Sequence, residues 1–291
     1  MSGGGPWPAP AKLNLFLHIV GRRPDGYHEL QTCFQFVDLC DEIAIEVRRD
    51  GDIRRRSALE GVPAEADLCV RAARLLQAAS GSKLGADIRV TKRIPMGAGL
   101  GGGSSDAATC LVALNRLWNV GMPEEELRVL ALSLGADVPV FVRGRAAWAE
   151  GVGERLTPLY PPLAPLESNY LILKPNVDVA TAVVFQDPEL TRNSPPITIH
   201  DFLEHGGRND CLAVVRRRFP EVARALDWLS GHGVARLTGT GACVFLELDT
   251  IERGREIAQR LPPGMSGFVV RGSNDSPLLG RLAEEGEIRT P

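Results

Sequence analysis

The residues best suited to chemistry are concentrated at 95 to 106, PMGAGLGGGSSD, where five glycines and two serines leave the main chain almost bare. Glycine lets a ligand come close to backbone N–H groups, and Ser104, Ser105 and Asp106 are residue types that open helices. Unpaired N–H groups at a helix start, with about half a positive charge from the helix dipole, form an anion site. The expected ligand is a phosphate. A Gly/Ser tract elsewhere is a flexible linker, as Ser2 to Gly5 of this chain is read to be, and position separates the two cases. Before the loop, Ala86 to Ile94 sets Ile88, Val90 and Ile94 on one side with period two. After it, Ala107, Ala108, Leu111, Val112, Leu114 and Leu117 recur at helical spacing. A strand feeds a glycine loop that opens a helix.

The type of phosphate loop is narrowed by what it lacks. No lysine follows the glycines, so it is not a Walker A site, and Ser104 stands where a protein-kinase loop carries valine. Gly97, Gly99 and Gly102 do satisfy G-x-G-x-x-G. A dinucleotide fold, however, needs an acidic residue about 20 positions on, where Trp118 and Asn119 stand instead.

Other reactive types are scattered along the chain. Lys12 to Val20 alternates, which puts Lys12 and Asn14 together on a face expected to be exposed, opposite Leu13, Leu15, Leu17 and Ile19. GRRPDG at 21 to 26 is a turn, followed directly by Tyr27, His28 and Glu29. Asp137 comes after Gly135-Ala136, at the end of a helix expected over Pro123 to Leu134, and before Val138-Pro139. Thr238 to Gly241 makes a glycine turn between two strand-like runs. Taken singly, a strand lysine is a solvated residue, Asp137 a turn or cap residue, and Gly239 and Gly241 a hairpin.

These residues need elements to position them. A chain of 291 residues, 44% hydrophobic and 24% charged, supports one large or two ordinary domains. A net charge of −3 offers no basic field for nucleic acid or acidic membranes, and the runs Arg54 to Arg56 and Arg216 to Arg218 read as solvated surface. The cysteines (33, 40, 69, 110, 211 and 243) lack C-x-x-C spacing, and several fall on apolar faces, as reduced, buried thiols do. The five histidines show no metal-binding pair. Neither a signal peptide nor an apolar run of transmembrane length is found, so a reducing cytoplasm is expected. Strands are expected at Thr32 to Val37 and Glu42 to Val47, and a helix over Asp67 to Ala79. Four prolines among Thr157 to Pro165 mark a domain boundary. Beyond it the pattern gives a strand at 170 to 173, a helix at 181 to 185 and a helical pair over 211 to 229. A strand, glycine turn and strand follow over 234 to 248, then a helix at 250 to 261 and a strand at 267 to 271. Residues 280 to 291 read as a frayed polar tail. The order of elements argues α+β.

PMGAGLGGGSSDAA at 95 to 108 resembles the second motif of the GHMP kinases, whose glycine loop wraps ATP phosphates. PAKLNLFLHIVGRRPDGYHELQT at 10 to 32, LGADVPVF at 134 to 141, AEGVGE at 149 to 154 and TGTGACVF at 238 to 245 are similar to the branch of that family acting on a cytidylyl methylerythritol. The similarity runs from residue 9 to about 279. It implies an α+β, two-domain GHMP kinase architecture. The N-terminal ATP domain, over 1 to 157, would be ribosomal-protein-S5-domain-2-like. The C-terminal domain, over 166 to 279, would be a ferredoxin-like α/β sandwich, with the tail at 280 to 291.

The resemblance also implies a reaction and its residues. ATP would phosphorylate the 2-hydroxyl of the small-molecule substrate, giving the 2-phosphate and ADP, on the non-mevalonate route to isoprenoid precursors. Asp137 would accept the hydroxyl proton, and Lys12 would hold the hydroxyl and the carboxylate while offsetting charge on the transferred group. Pro95, Met96, Gly97, Ala98, Gly99, Leu100, Gly101, Gly102, Gly103, Ser104 and Ser105 would bind the nucleotide. Tyr27, His28 and Phe185 would form a cytidine pocket, with the base stacked between rings and the histidine reading its edge. Asn14 would place the methylerythritol hydroxyls, and Thr238, Gly239, Thr240 and Gly241 would lie near the phosphates of either substrate. Mg²⁺ follows from ATP chemistry, with its protein ligands open, and Asp106 is expected to point away from the phosphates or meet that ion. Two alternatives stand: a GHMP kinase for another alcohol, of the homoserine or mevalonate type, or a catalytically silent nucleotide-binding homologue. No nucleic-acid or membrane partner is expected, and the chain is read as a monomer or weak homodimer.

Overall fold

A computed structural model describes residues 5–59 and 61–288, so Ser2 to Gly4 of the expected linker and 289 to 291 of the expected tail lie outside the described residues. The first half begins with β1 (Trp7–Arg22) and β2 (His28–Arg48), an antiparallel pair joined through the expected turn. β2 merges the two strands expected at 32 to 37 and 42 to 47 into one strand of 21 residues. Its length lets it serve several partners at once. Leu30 to Phe34 pair with β5 (Ala147–Gly151), and Glu42 to Arg48 pair with β4 (Gly85–Thr91). β3 (Ile53–Arg55) lies parallel to β4, and β6 (Arg155–Pro158) extends β5.

Helices cover this sheet, two of them through one apolar face and two buried almost all round. α1 (Leu68–Ser80) starts at Asp67, whose Oδ1 accepts from Cys69 N–H at 2.8 Å. α2 (Gly102–Leu117), α3 (Glu124–Leu132) and α4 (Val138–Arg143) follow. Together they bury Leu76, Leu111, Leu114, Leu127 and Phe141 against Phe34, Phe36 and Ile88 of the sheet.

The second half forms around β7 (Asn169–Pro175), with α5 (Thr181–Phe185), α6 (Ile199–His205), α7 (Leu212–Arg218) and α8 (Pro220–Ser230). In α8 the buried residues Val222, Ala225, Leu226 and Leu229 recur at three-to-four spacing, which turns one stripe onto the core. β8 (Ala235–Leu237), β9 (Val244–Leu248), α9 (Ile251–Ala258) and β10 (Met265–Ser273) close this half. β10 pairs with β7 over Met265 to Arg271, and then Gly272 and Ser273 pair with Val37 and Phe36 of β2. One ten-stranded sheet thus runs through both halves, in the order β3-β4-β2-β10-β7-β9-β8, with β1, β5 and β6 attached beside β2.

Three sequence expectations are corrected here. The polar face of β1 is not exposed: Lys12 and Asn14 are each only 2% accessible, because the glycine loop and the 238 to 241 turn close over them. Residues 280 to 288 are not frayed tail, since they continue α10 (Pro277–Ile288), which lies against β1 and α2. Leu278 is buried and Leu282, four residues on, packs against the first-half core, while Arg281 stacks 4.5 Å from the Trp7 ring centroid. Two leucines in a polar segment are too sparse to read as periodic. Finally, α2 is not capped by Ser104, Ser105 or Asp106, which lie inside it; its N-cap is Gly101.

Candidate functional site

Gly101 ends the loop in the left-handed region, at φ 74°, without a side-chain cap. The first helical bond runs from Ser105 N–H to Gly101 O at 2.8 Å, so the N–H groups of Gly102, Gly103 and Ser104 precede the ladder and are left for a ligand. Glycine is obligatory at Gly99, where φ is +75° and a Cβ would stand 2.5 Å from the Thr238 carbonyl oxygen. At that point the loop touches the second glycine turn. On the outer side of the loop lies a cavity of about 440 Å³, walled by Pro95 to Gly99, Gly101 to Ser104, Lys92 and Asp106.

Lys92 organises one wall of that cavity. Its ammonium is shared between Asp41 and Asp106, with the Asp106 Oδ2 contact at 2.7 Å. Asp41, fully buried, also accepts from the backbone of Arg93 at 2.5 Å and Ile94 at 2.8 Å, and so fixes the chain entering the loop. Asp106 therefore turns toward a lysine, and its other oxygen is buried without a hydrogen-bond partner. Burial pushes the Asp106 carboxyl up to about 7 against the opposing pull of Lys92.

On the inner side of the loop, β1 delivers Lys12. Its backbone N–H bonds Leu100 O at 3.0 Å, and its Nζ lies 3.3 Å from Asp137 Oδ2, donates to Asn14 Oδ1 and sits 5.2 Å from the Phe34 ring centroid. Asp137 occupies the N-cap position of α4, yet its side chain makes no cap bond, which leaves its carboxylate, 38% accessible, facing the lysine and solvent. Asn14 is held rigidly. Its amide nitrogen donates to Thr32 Oγ1 at 3.0 Å, and its backbone N–H donates to Thr238 Oγ1 at 3.0 Å. A bulge in the β1–β2 register between Asn14 and Leu17 accompanies this packing. Lys12, Asn14 and Asp137 line a second cavity, of about 310 Å³, together with Phe185, Gly239 and Thr240. Gly99 and Ser104 line both cavities, so the two meet across the glycine loop.

The expected nucleobase residues are brought together only in part. Phe185, from α5, lines the inner cavity, and the His28 ring stacks on it with centroids 5.0 Å apart and planes 25° apart. Tyr27, on the turn, is 64% exposed. The Thr181 and Thr240 hydroxyls are 3.0 Å apart, which ties the start of α5 to the glycine turn. Thr238 reaches Gly99 O at 3.3 Å, and Gly241 O would lie 3.0 Å from a Cβ at Gly99. Sequence reasoning missed Lys92, Asp41, Thr32 and Arg192. Arg192 donates to His28 Nε2 at 3.1 Å, from a loop with no periodicity that could mark it. Among the described residues no group of three or more His, Cys, Asp or Glu is placed to hold a metal ion.

Comparison with known proteins places this geometry among phosphotransferases. The GHMP kinases N terminal domain matches residues 67–145, and the GHMP kinases C terminal domain matches residues 197–264. The chain is 56% identical, over 279 residues and 96% of each protein, to 4-diphosphocytidyl-2-C-methyl-D-erythritol kinase of Halorhodospira halophila (strain DSM 244 / SL1). A crystal structure of 4-(cytidine 5'-diphospho)-2C-methyl-D-erythritol kinase superposes with a TM-score of 0.80 at 34% identity, covering 91% of this chain and 98% of that one. The mevalonate kinase of Methanococcus jannaschii shares the fold, with a TM-score of 0.69 at 16% identity over 94% of this chain and all of the other.

Proposed function

Because the chain belongs to the GHMP kinase family, we propose that it transfers the γ-phosphoryl group of ATP to the 2-hydroxyl of 4-diphosphocytidyl-2-C-methyl-D-erythritol, giving the 2-phosphate and ADP. The observation that carries the reading is the Lys12–Asp137 pair, 3.3 Å apart, on the wall of a cavity that meets the glycine loop at Gly99 and Ser104. Asp137, unspent on capping, accepts the proton as the acceptor oxygen bonds to phosphorus and the bond from phosphorus to the bridging oxygen breaks. ADP leaves with that electron pair. Lys12 offsets negative charge on the phosphoryl group in flight, and it is buried so that this interaction is poorly screened. The N–H groups of Gly102, Gly103 and Ser104 hold the donor phosphates, and Asn14, pinned at both ends, orients the acceptor hydroxyls.

Mg²⁺ entering with ATP would supply further charge neutralisation at the phosphates. The hydroxyl of Ser105, buried at the loop end of α2 without a hydrogen-bond partner, fits such a cation-bearing triphosphate, with Ser104 beside it. Phe185 offers a ring for the cytosine base. We propose the half up to residue 157 as the ATP-binding unit and 166 to 279 as its partner. The protein is proposed to work in the cytoplasm, as a monomer or weak homodimer; no helix among the described residues is long and apolar enough to cross a membrane.

The test is ADP release measured with the cytidylyl substrate, homoserine and mevalonate in parallel. Turnover with the first alone is expected, and equal turnover of another alcohol would reassign the acceptor. In the same assay Asp137→Asn should lower kcat by about 10²–10⁴ with ATP binding kept.

A further inference from the structure

Arg192 stands outside every motif that suggested the reaction, yet all three of its guanidinium nitrogens are engaged. Nη1 donates to Leu190 O at 3.1 Å, and Nη2 donates to Phe185 O at 3.0 Å and Asp187 O at 2.7 Å. Three backbone carbonyls at the end of α5 and in the loop after it thus clamp the planar group. The remaining nitrogen, Nε, donates to His28 Nε2 at 3.1 Å.

A guanidinium has only donors and does not deprotonate in proteins. The ring nitrogen that receives its N–H must therefore be the one carrying the lone pair. His28 is neutral in this arrangement, with its proton on Nδ1, and among the described residues Nδ1 meets no hydrogen-bonding partner. The ring orientation is set too, because His28 stacks on Phe185, the same residue whose carbonyl Arg192 grips.

We infer that Arg192 is a positioning residue that locks His28 in its Nδ1–H tautomer and thereby makes the acceptor site a reader of hydrogen-bond acceptors on the nucleobase edge. This rests on the cytidylyl reading of the acceptor. Cytosine presents acceptors at O2 and N3, whereas uracil presents a donor at N3. O2 is an acceptor in both bases, so the distinction lies at N3: there a histidine fixed as a donor satisfies cytosine and meets uracil donor to donor, and the site prefers a cytidylyl over a uridylyl acceptor. A site built to hydrogen-bond one group rejects the analogue that leaves its polar atoms unpaired. An unconstrained histidine supplies no such preference, since either ring nitrogen can carry the proton.

The experiment uses the full chain with ¹⁵N-labelled histidine. In the native protein, two-bond ¹H–¹⁵N correlations are expected to show His28 with a protonated Nδ1 and an unprotonated Nε2. In Arg192→Gln the Nε2–H form should appear, the KM for the cytidylyl acceptor should rise about tenfold, and the KM for ATP should stay unchanged. The preference in kcat/KM for the cytidylyl over the uridylyl acceptor should fall by about the same factor. Arg192→Lys, which keeps a cation with its donors on a single nitrogen, should recover part of the tautomer and part of the preference, and guards against a Gln variant that fails to fold. Native His28 protonated on Nε2, or full selectivity with an unchanged tautomer in both variants, overturns the inference. Failure of the acceptor reading would look different: the native protein would not turn over the cytidylyl substrate at all, whatever tautomer His28 shows.

Discussion

A carboxylate beside a phosphate is repelled unless its charge is compensated, and Asp106, on the wall of the proposed phosphate site, has such compensation. Lys92 lies against it at 2.7 Å, and burial lifts its carboxyl to about 7, so near neutral pH a good part of the charge is absent. The sign of the pH effect follows. A folded-state value above the ordinary one, near 3.9, means that protonation favours the fold; this contribution is complete below about pH 4 and is lost as pH rises through about 7. Asp106→Asn removes it while leaving Lys92 paired with Asp41. The melting temperature of the native protein should therefore fall between about pH 5 and pH 8 by more than that of the variant. Parallel curves would show that Asp106 carries its charge in the fold as freely as in the unfolded chain.

At the scale of elements, the junction of β4, loop and α2 was largely legible, because hydrophobic periodicity changes from two to 3.6 across the glycines. Its details were not. The preference of Ser and Asp for cap positions pointed to residues 104 to 106, whereas the chain caps at Gly101, whose left-handed backbone lets the helix begin earlier and leaves three N–H groups ahead of the helical ladder. The geometry also decides which glycine tests the loop. A Cβ at Gly101 would lie 2.7 Å from the Phe141 ring and 3.2 Å from Lys12 Cε, so a side chain there distorts α4 and Lys12 together. At Gly103 the nearest atom is Leu68 Cδ1, at 3.6 Å. Gly103→Val should keep its melting temperature and raise the KM for ATP more than about tenfold, by holding phosphate away from the N–H groups. Unchanged ATP kinetics would remove the loop from the donor site. Lys12 and Asn14 were legible as partners on one strand face, but their burial was not, since the covering segments near 100 and 238 come from distant parts of the chain. Arg192 left no trace in pattern at all.

At the scale of the molecule, the proline-rich segment suggests a simple division into two consecutive halves, and the topology is less simple. The chain leaves the first half after β6, builds the second, and returns through the last residues of β10 and through α10. That return was illegible because its apolar content is slight, yet Leu278 is 1% accessible within the first-half core. Leu278→Ala should cost about 2–5 kcal/mol in urea unfolding, and a loss well below 1 kcal/mol would mean that α10 is docked without contributing to the core. The same return has a consequence for synthesis. Residues 272 to 288 leave the ribosome only after the whole of the second half, so the flank of β1 and α2 that bears the glycine loop stays uncovered while β7, β9 and their helices are made. The first half is the first to be translated and the last to be finished, and an interrupted chain cannot complete it without the second half.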